Sequence, residues 1–168
     1  MKKLQTIAKE ISLMAKKDQE MRNSYDYDTE ESEWDESIDL GNTRRMKEIV
    51  DEIGWPTISK VGHEASNNAW LLVQHADRDT GFQEKCLQLM KAQSEDEVSK
   101  SNIAYLEDRI AVAKGRPQIY GTQFQANEAG QFEPRELHDP TNVNQRRKAM
   151  GLDTLEENIE RMQEAYGS

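Results

Sequence analysis

Cysteine is almost missing from this chain of 168 residues, and the single thiol, Cys86, excludes an intramolecular disulfide. A lone thiol fits a reducing compartment. Long apolar runs are missing as well: only 35% of the residues are hydrophobic, and no stretch has the length of a membrane span. The opening Met1-Lys2-Lys3 has the charge of an export signal, but Gln5, Lys9 and Glu10 interrupt what would be its apolar core. Positive charge is scarce, with 22 Lys and Arg against 32 Asp and Glu and a formal net charge of −10. Binding a phosphate backbone needs a cationic face, so no nucleic acid is expected as partner. A Gly-x-Ser-x-Gly elbow and a phosphate-cradling glycine loop are both lacking, which leaves nucleophilic serine and nucleotide chemistry without support. The expectation is a strongly solvated cytoplasmic protein with one core and no membrane association.

What the chain has is helical periodicity. Leu4, Ile7, Ala8, Ile11, Met14 and Ala15 share one face and predict a helix over residues 3–22. One turn further, that face runs into Asp18 and Arg22, with Gln19 beside them. Residues 23–43 hold eight acidic side chains and no Lys or Arg, which predicts an acidic insert or loop over 23–41. Trp34 and Ile38 are its means of docking onto the body. The glycine and closing glutamate of a calcium loop are not at their positions, so that reading fails.

Further helices are expected over 43–53, 59–76, 80–93 and 98–114, the second of them central because Ala69 to Val73 is apolar all round. Tyr120, Thr122 and Phe124 alternate ahead of an Asn-Glu-Ala-Gly turn and Phe132, the pattern of a small hairpin. Asp139-Pro140 reads as a helix start, for a helix carrying Arg146 and Arg147 up to Gly151. Asp153 or Thr154 then opens a last helix with Leu155, Ile159, Met162 and Tyr166 inward. The expected fold is mainly α, a compact bundle of about six or seven helices with one small β-hairpin, in a single domain over 1–168.

Three of these helices carry polar residues where the apolar pattern predicts core: Asp18, Gln19 and Arg22; Gln74, His75 and Asp77; Tyr105, Asp108 and Arg109. Each buried polar group without a partner costs roughly 1–3 kcal/mol, so such groups should meet one another. A polar centre between helices is a natural site. The competing structural explanation is an Asp–Arg pair that ties helices together and a histidine that caps helix-end carbonyls.

In the site reading, His75 is the general acid or base, because its unperturbed pKa lies near neutrality. Asp18 or Asp108 orients the imidazole. Arg22 and Arg109 hold an anionic group of a small ligand by forked hydrogen bonds, with Gln19 and Gln74 beside them. Tyr120, Thr122 and Gln123 add neutral hydrogen bonds from the hairpin edge, and Arg146 and Arg147 are a second anion candidate. A metal reading would rest on His75, Asp77 and Asp79 and would suit Mn, Fe or Mg. No second histidine stands at a ligand spacing, so no metal is expected and no cofactor is named. Cys86 lies on an apolar stripe and reads as an inert core thiol.

The ordered motifs DQEMR (18–22), GWPT (54–57), QHAD (74–77), AYLEDR (104–109), PQIYGTQ (117–123) and RRKAMGL (146–152) resemble an uncharacterised bacterial domain family. Its signatures are Gln-His-Ala-Asp and Tyr-Gly-Thr-Gln. The resemblance spans about residues 4–160, apart from the acidic insert, and brings no activity with it. It singles out the same odd polar residues and adds Tyr120, Gly121, Thr122 and Gln123. The sequence therefore supports a His75-centred polar cleft for a small anionic ligand, with acid–base or hydrolytic chemistry. The alternative is a non-enzymatic interaction protein whose acidic loop meets a basic partner, the protein partner itself being unknown.

Overall fold

Apolar residues at helical spacing build most of the chain. A computed structural model describes residues 1–25 and 35–166, and eight helices and one two-stranded sheet are present among them. Trp34 and residues 26–33 of the expected acidic insert fall outside the described residues. The chain packs as two units, residues 1–99 and 100–168.

In the first unit, α1 (Lys2–Ser24) buries Ile7, Ile11, Ala15, Asp18 and Met21 on one face. Helix α2 (Glu36–Ile53) starts well before Thr43, inside the stretch expected to be loop. The acidic residues that argued for a loop instead favour a helix start. An Asp35 side-chain oxygen accepts the Ser37 N–H at 3.0 Å, and Glu36 and Asp39 sit in the first turn, where the helix dipole favours anions. The expected helix over 59–76 is two helices, α3 (Ile58–Val61) and α4 (His63–Gln74). Gly62 divides them at φ 87°, a conformation that breaks helical hydrogen bonding and that only glycine adopts cheaply. Helix α4 is central as expected, packing against α1, α2 and α3 and against α5 (Thr80–Lys91). Its Ala69, Leu72 and Val73 are fully buried.

In the second unit, α6 (Lys100–Ala113) leads into a loop and a hairpin, β1 (Phe124–Ala126) and β2 (Phe132–Pro134). The strands are antiparallel, with Gln125 opposite Glu133. The Asn127 side chain accepts the Ala129 and Gln131 N–H groups and so makes the turn. Tyr120 and Thr122 lie ahead of the strands, in the loop. Helix α7 (Val143–Ala149) starts later than Pro140, because the Asp139 carboxylate accepts the Thr141 N–H and the Asn142 amide and holds the residues between as a turn. Helix α8 (Leu155–Tyr166) closes the unit against β2 and α7. Among the described residues, no helix is long and apolar enough to cross a membrane.

Candidate functional site

The last turns of α1 and the end of α4 bring two of the odd polar groups together. The periodicity that buries Ile11 and Ala15 carries on to Asp18, whose side chain is fully buried. Opposite it, α4 ends at Gln74, and His75 leaves the helix with its N–H still bonded to the Leu71 carbonyl. The His75 ring nitrogen Nδ1 lies 3.0 Å and 2.9 Å from the two Asp18 carboxylate oxygens. Gln19 donates to Asp18 Oδ2 at 2.9 Å, and Arg22 Nε to the same oxygen at 3.2 Å.

These bonds decide where the protons are. Burial pushes the Asp18 carboxyl up, but the hydrogen bond and charge of a protonated His75, with the hydrogen bonds of Arg22 and Gln19, outweigh it and hold the group at about 2. An ionised carboxylate only accepts, so Nδ1 of His75 carries a proton and donates it to Asp18. Arg22 Nε also lies 3.0 Å from Nδ1, but a protonated Nδ1 has no lone pair to offer it, and its N–H goes to Asp18. Nε2 of a neutral His75 then carries the free lone pair, and it has no hydrogen-bond partner among the described residues. A carboxylate so placed fixes the tautomer and the orientation of the ring.

His75 is half-buried and lines a pocket of about 200 Å³ together with Arg22, Glu36, Asp39, Thr43 and Arg78. Arg22 bridges two carboxylates, since its Nη2 donates to Asp39 Oδ1 at 2.6 Å. Arg78 Nη2 donates to Glu36 Oε1 at 2.5 Å. Burial raises the Asp39 carboxyl above its ordinary value; the Arg22 charge opposes that rise and the Asp18 charge adds to it. A side chain that sequence reasoning missed, Gln83, is fully buried on α5 and donates to the Val73 and Gln74 carbonyls at 3.1 and 3.2 Å. It gives the Gln74 carbonyl a donor and the Val73 carbonyl a second one beside the Ala76 N–H at 3.1 Å, and so helps to fix the exit of the chain into His75.

The remaining expected site residues have other partners. Gln74 is buried, and Asp77 is exposed and accepts from Gln83 at 3.4 Å. Asp79 caps α5 by accepting the Phe82 N–H and also pairs with Lys47. Among the described residues, no cluster of three or more His, Cys, Asp or Glu side chains is placed to hold a metal ion. Cys86 is fully buried, and burial pushes its thiol up to about 12.

In the second unit, Asp108 is fully buried and works on the Tyr-Gly-Thr-Gln loop. Its carboxylate accepts the N–H groups of Ile119 at 2.7 Å, Tyr120 at 3.0 Å and Thr122 at 3.0 Å, and the Thr122 hydroxyl at 2.9 Å. Burial raises its carboxyl against the pull of those four donors. From the other side, Arg146 Nε donates to the Ile119 carbonyl at 2.9 Å and the fully buried Arg147 to the Tyr120 carbonyl at 2.8 Å. The adjacent arginines thus both reach this loop. Gln123 accepts from Arg109 at 3.5 Å and donates to the Thr122 hydroxyl. Gln118, also missed in the sequence, is fully buried and bridges the Gln123 and Arg135 backbones. Burial and the neighbouring Glu107 push the Tyr120 phenol up to about 12.

Neither a protein of curated function nor a solved structure matches the chain. The sequence pattern of DUF6624, a family of unknown function, matches residues 5–168, and the chain belongs to that family.

Proposed function

We propose that the His75 pocket binds a small ligand with an anionic group and moves a proton on it, as the acid–base step of a hydrolytic or related reaction. One observation carries this reading: Nδ1 of His75 is bonded to a buried, ionised Asp18 at 2.9 Å, which leaves Nε2 as the basic nitrogen beside a pocket. In hydrolysis, Nε2 takes a proton from water, the water oxygen attacks the ligand, and the proton passes to the leaving group. Asp18 holds the tautomer and stabilises the imidazolium formed in between, while Arg22 supplies positive charge beside the ring. Asp108, Tyr120, Thr122 and Gln123 serve the reading only as the frame of their own loop.

The test is a turnover screen with carboxylic ester, amide and phosphate monoester probes on wild type and His75→Asn. Asparagine keeps an N–H donor for Asp18 and removes the basic nitrogen. Turnover of one probe class is expected, reduced about 100-fold or more in His75→Asn, with the thermal midpoint changed by no more than a few degrees. Absence of turnover in every class, or equal turnover in both proteins, overturns the reading.

A further inference from the structure

The two guanidinium groups that line the His75 pocket are each met by a carboxylate from a single helical turn. Glu36 takes Arg78 at 2.5 Å and Asp39 takes Arg22 at 2.6 Å. Three positions apart on α2, the two acids share a face, and that face is a wall of the pocket. We propose that the first turn of α2 is a built-in competitor of the ligand, its two carboxylates occupying the cationic groups that a phosphate or carboxylate of the ligand must engage. This rests on the reading of the pocket as an anion site and adds its regulation.

The turn is held loosely enough to exchange. The Arg78–Glu36 side chains are 66% and 54% exposed, and pairs of that exposure contribute little. Arg22 and Asp39 are 22% exposed each, and burial raises the Asp39 carboxyl, so its ionised form is poorly solvated where it sits. Helix α2 is anchored at its other end, by fully buried Met46 and Ile49 and by Val50. Near the pocket Leu40 is 46% exposed and Ile38 only half-buried, so displacing the first turn uncovers little apolar surface. An arriving anion first replaces Glu36 on the exposed Arg78, then Asp39 on Arg22.

Calorimetric titration of inorganic phosphate into the full chain tests this. The proteins are wild type, Glu36→Gln/Asp39→Asn, and the control Glu48→Gln/Asp51→Asn, which removes the same charge from α2 away from the pocket. The first double variant is expected to bind phosphate about tenfold tighter than both other proteins, and adding Arg78→Gln to it should cancel the gain. Equal binding by all three proteins overturns the competitor and leaves the anion site standing. Binding by none overturns the anion reading and the competitor with it. Wild-type amide exchange gives an independent check on the native chain. Saturating phosphate should speed exchange in the first turn of α2 and leave the Met46 to Val50 turns unchanged, and an unaltered first turn overturns the proposal.

Discussion

The Asp18 carboxylate on α1 and Nδ1 of His75 meet at 2.9 Å across 57 residues of chain. The contact ties the end of α1 to the end of α4 and sets the histidine tautomer. It also makes stability depend on pH in a definite direction.

Asp18 has a folded-state pKa of about 2 against an ordinary value of 3.8. A lowered carboxyl contributes stability that is fully present above the ordinary value and disappears as pH falls through the folded one. While His75 carries its charge, the difference corresponds to roughly 2 kcal/mol. Asp18→Asn removes the charge while Arg22 and Gln19 keep donors aimed at it, so a loss of roughly 2–4 kcal/mol is expected. Urea unfolding at a series of acid pH values checks both points: the variant should be weaker at neutral pH, and its stability should fall less steeply below the carboxylate range.

Asp108→Asn should act on the Tyr-Gly-Thr-Gln loop. The asparagine amide turns a donor towards N–H groups that now have a carboxylate, leaving at least one of them unsatisfied in a buried site. A cost of roughly 2–4 kcal/mol in urea unfolding is expected. Turnover that drops while stability is unchanged would instead place Asp108 in the chemistry.

The fold class was legible because the apolar stripes of α1, α4 and α8 are long and regular. Asp18 and His75 stood out because each interrupts or ends such a stripe, and a buried polar group needs a partner. Which partner could not be read, since the two candidate carboxylates for His75, Asp18 and Asp108, look alike in sequence. In the fold, Asp18 meets the imidazole and Asp108 meets four loop donors. Glu36 and Asp39 were hidden for a different reason: in a run of eight acids, two helix-start residues look like part of a solvated loop. Gln83 left a fainter trace, a polar residue beside the Phe82–Cys86 stripe of α5.

Gln83→Leu should uncouple the end of α4 from α5. Leucine fills the buried volume but takes a donor from the Gln74 carbonyl and leaves the Val73 carbonyl to its Ala76 N–H, at an expected cost of roughly 1–3 kcal/mol. The His75 side chain should become more mobile, and side-chain NMR relaxation at that ring measures it. Unchanged stability and an unchanged ring would mean that the backbone bonds of His75 and Ala76 suffice to hold the turn.

Gly121 allows a test in which two causes separate. It sits at φ 72°, and a Cβ built there would lie 2.7 Å from Leu155 Cδ1. Gly121→Ala therefore meets both backbone strain and a collision with α8, and a loss of roughly 2–4 kcal/mol is expected. Leu155→Ala alone opens a cavity, since Leu155 is buried, and costs roughly 2–3 kcal/mol. Combined, the collision with Leu155 vanishes and the new methyl fills part of the cavity, while the backbone strain and a 3.3 Å contact with Leu137 Cδ2 remain, so the double variant should be more stable than the sum of the two losses predicts. The shortfall from additivity in a urea-unfolding cycle measures the coupling between the new methyl and the Leu155 side chain. Strict additivity would mean that Leu155 moves aside without cost, and that the positive φ and the Leu137 contact are what require glycine in Tyr-Gly-Thr-Gln.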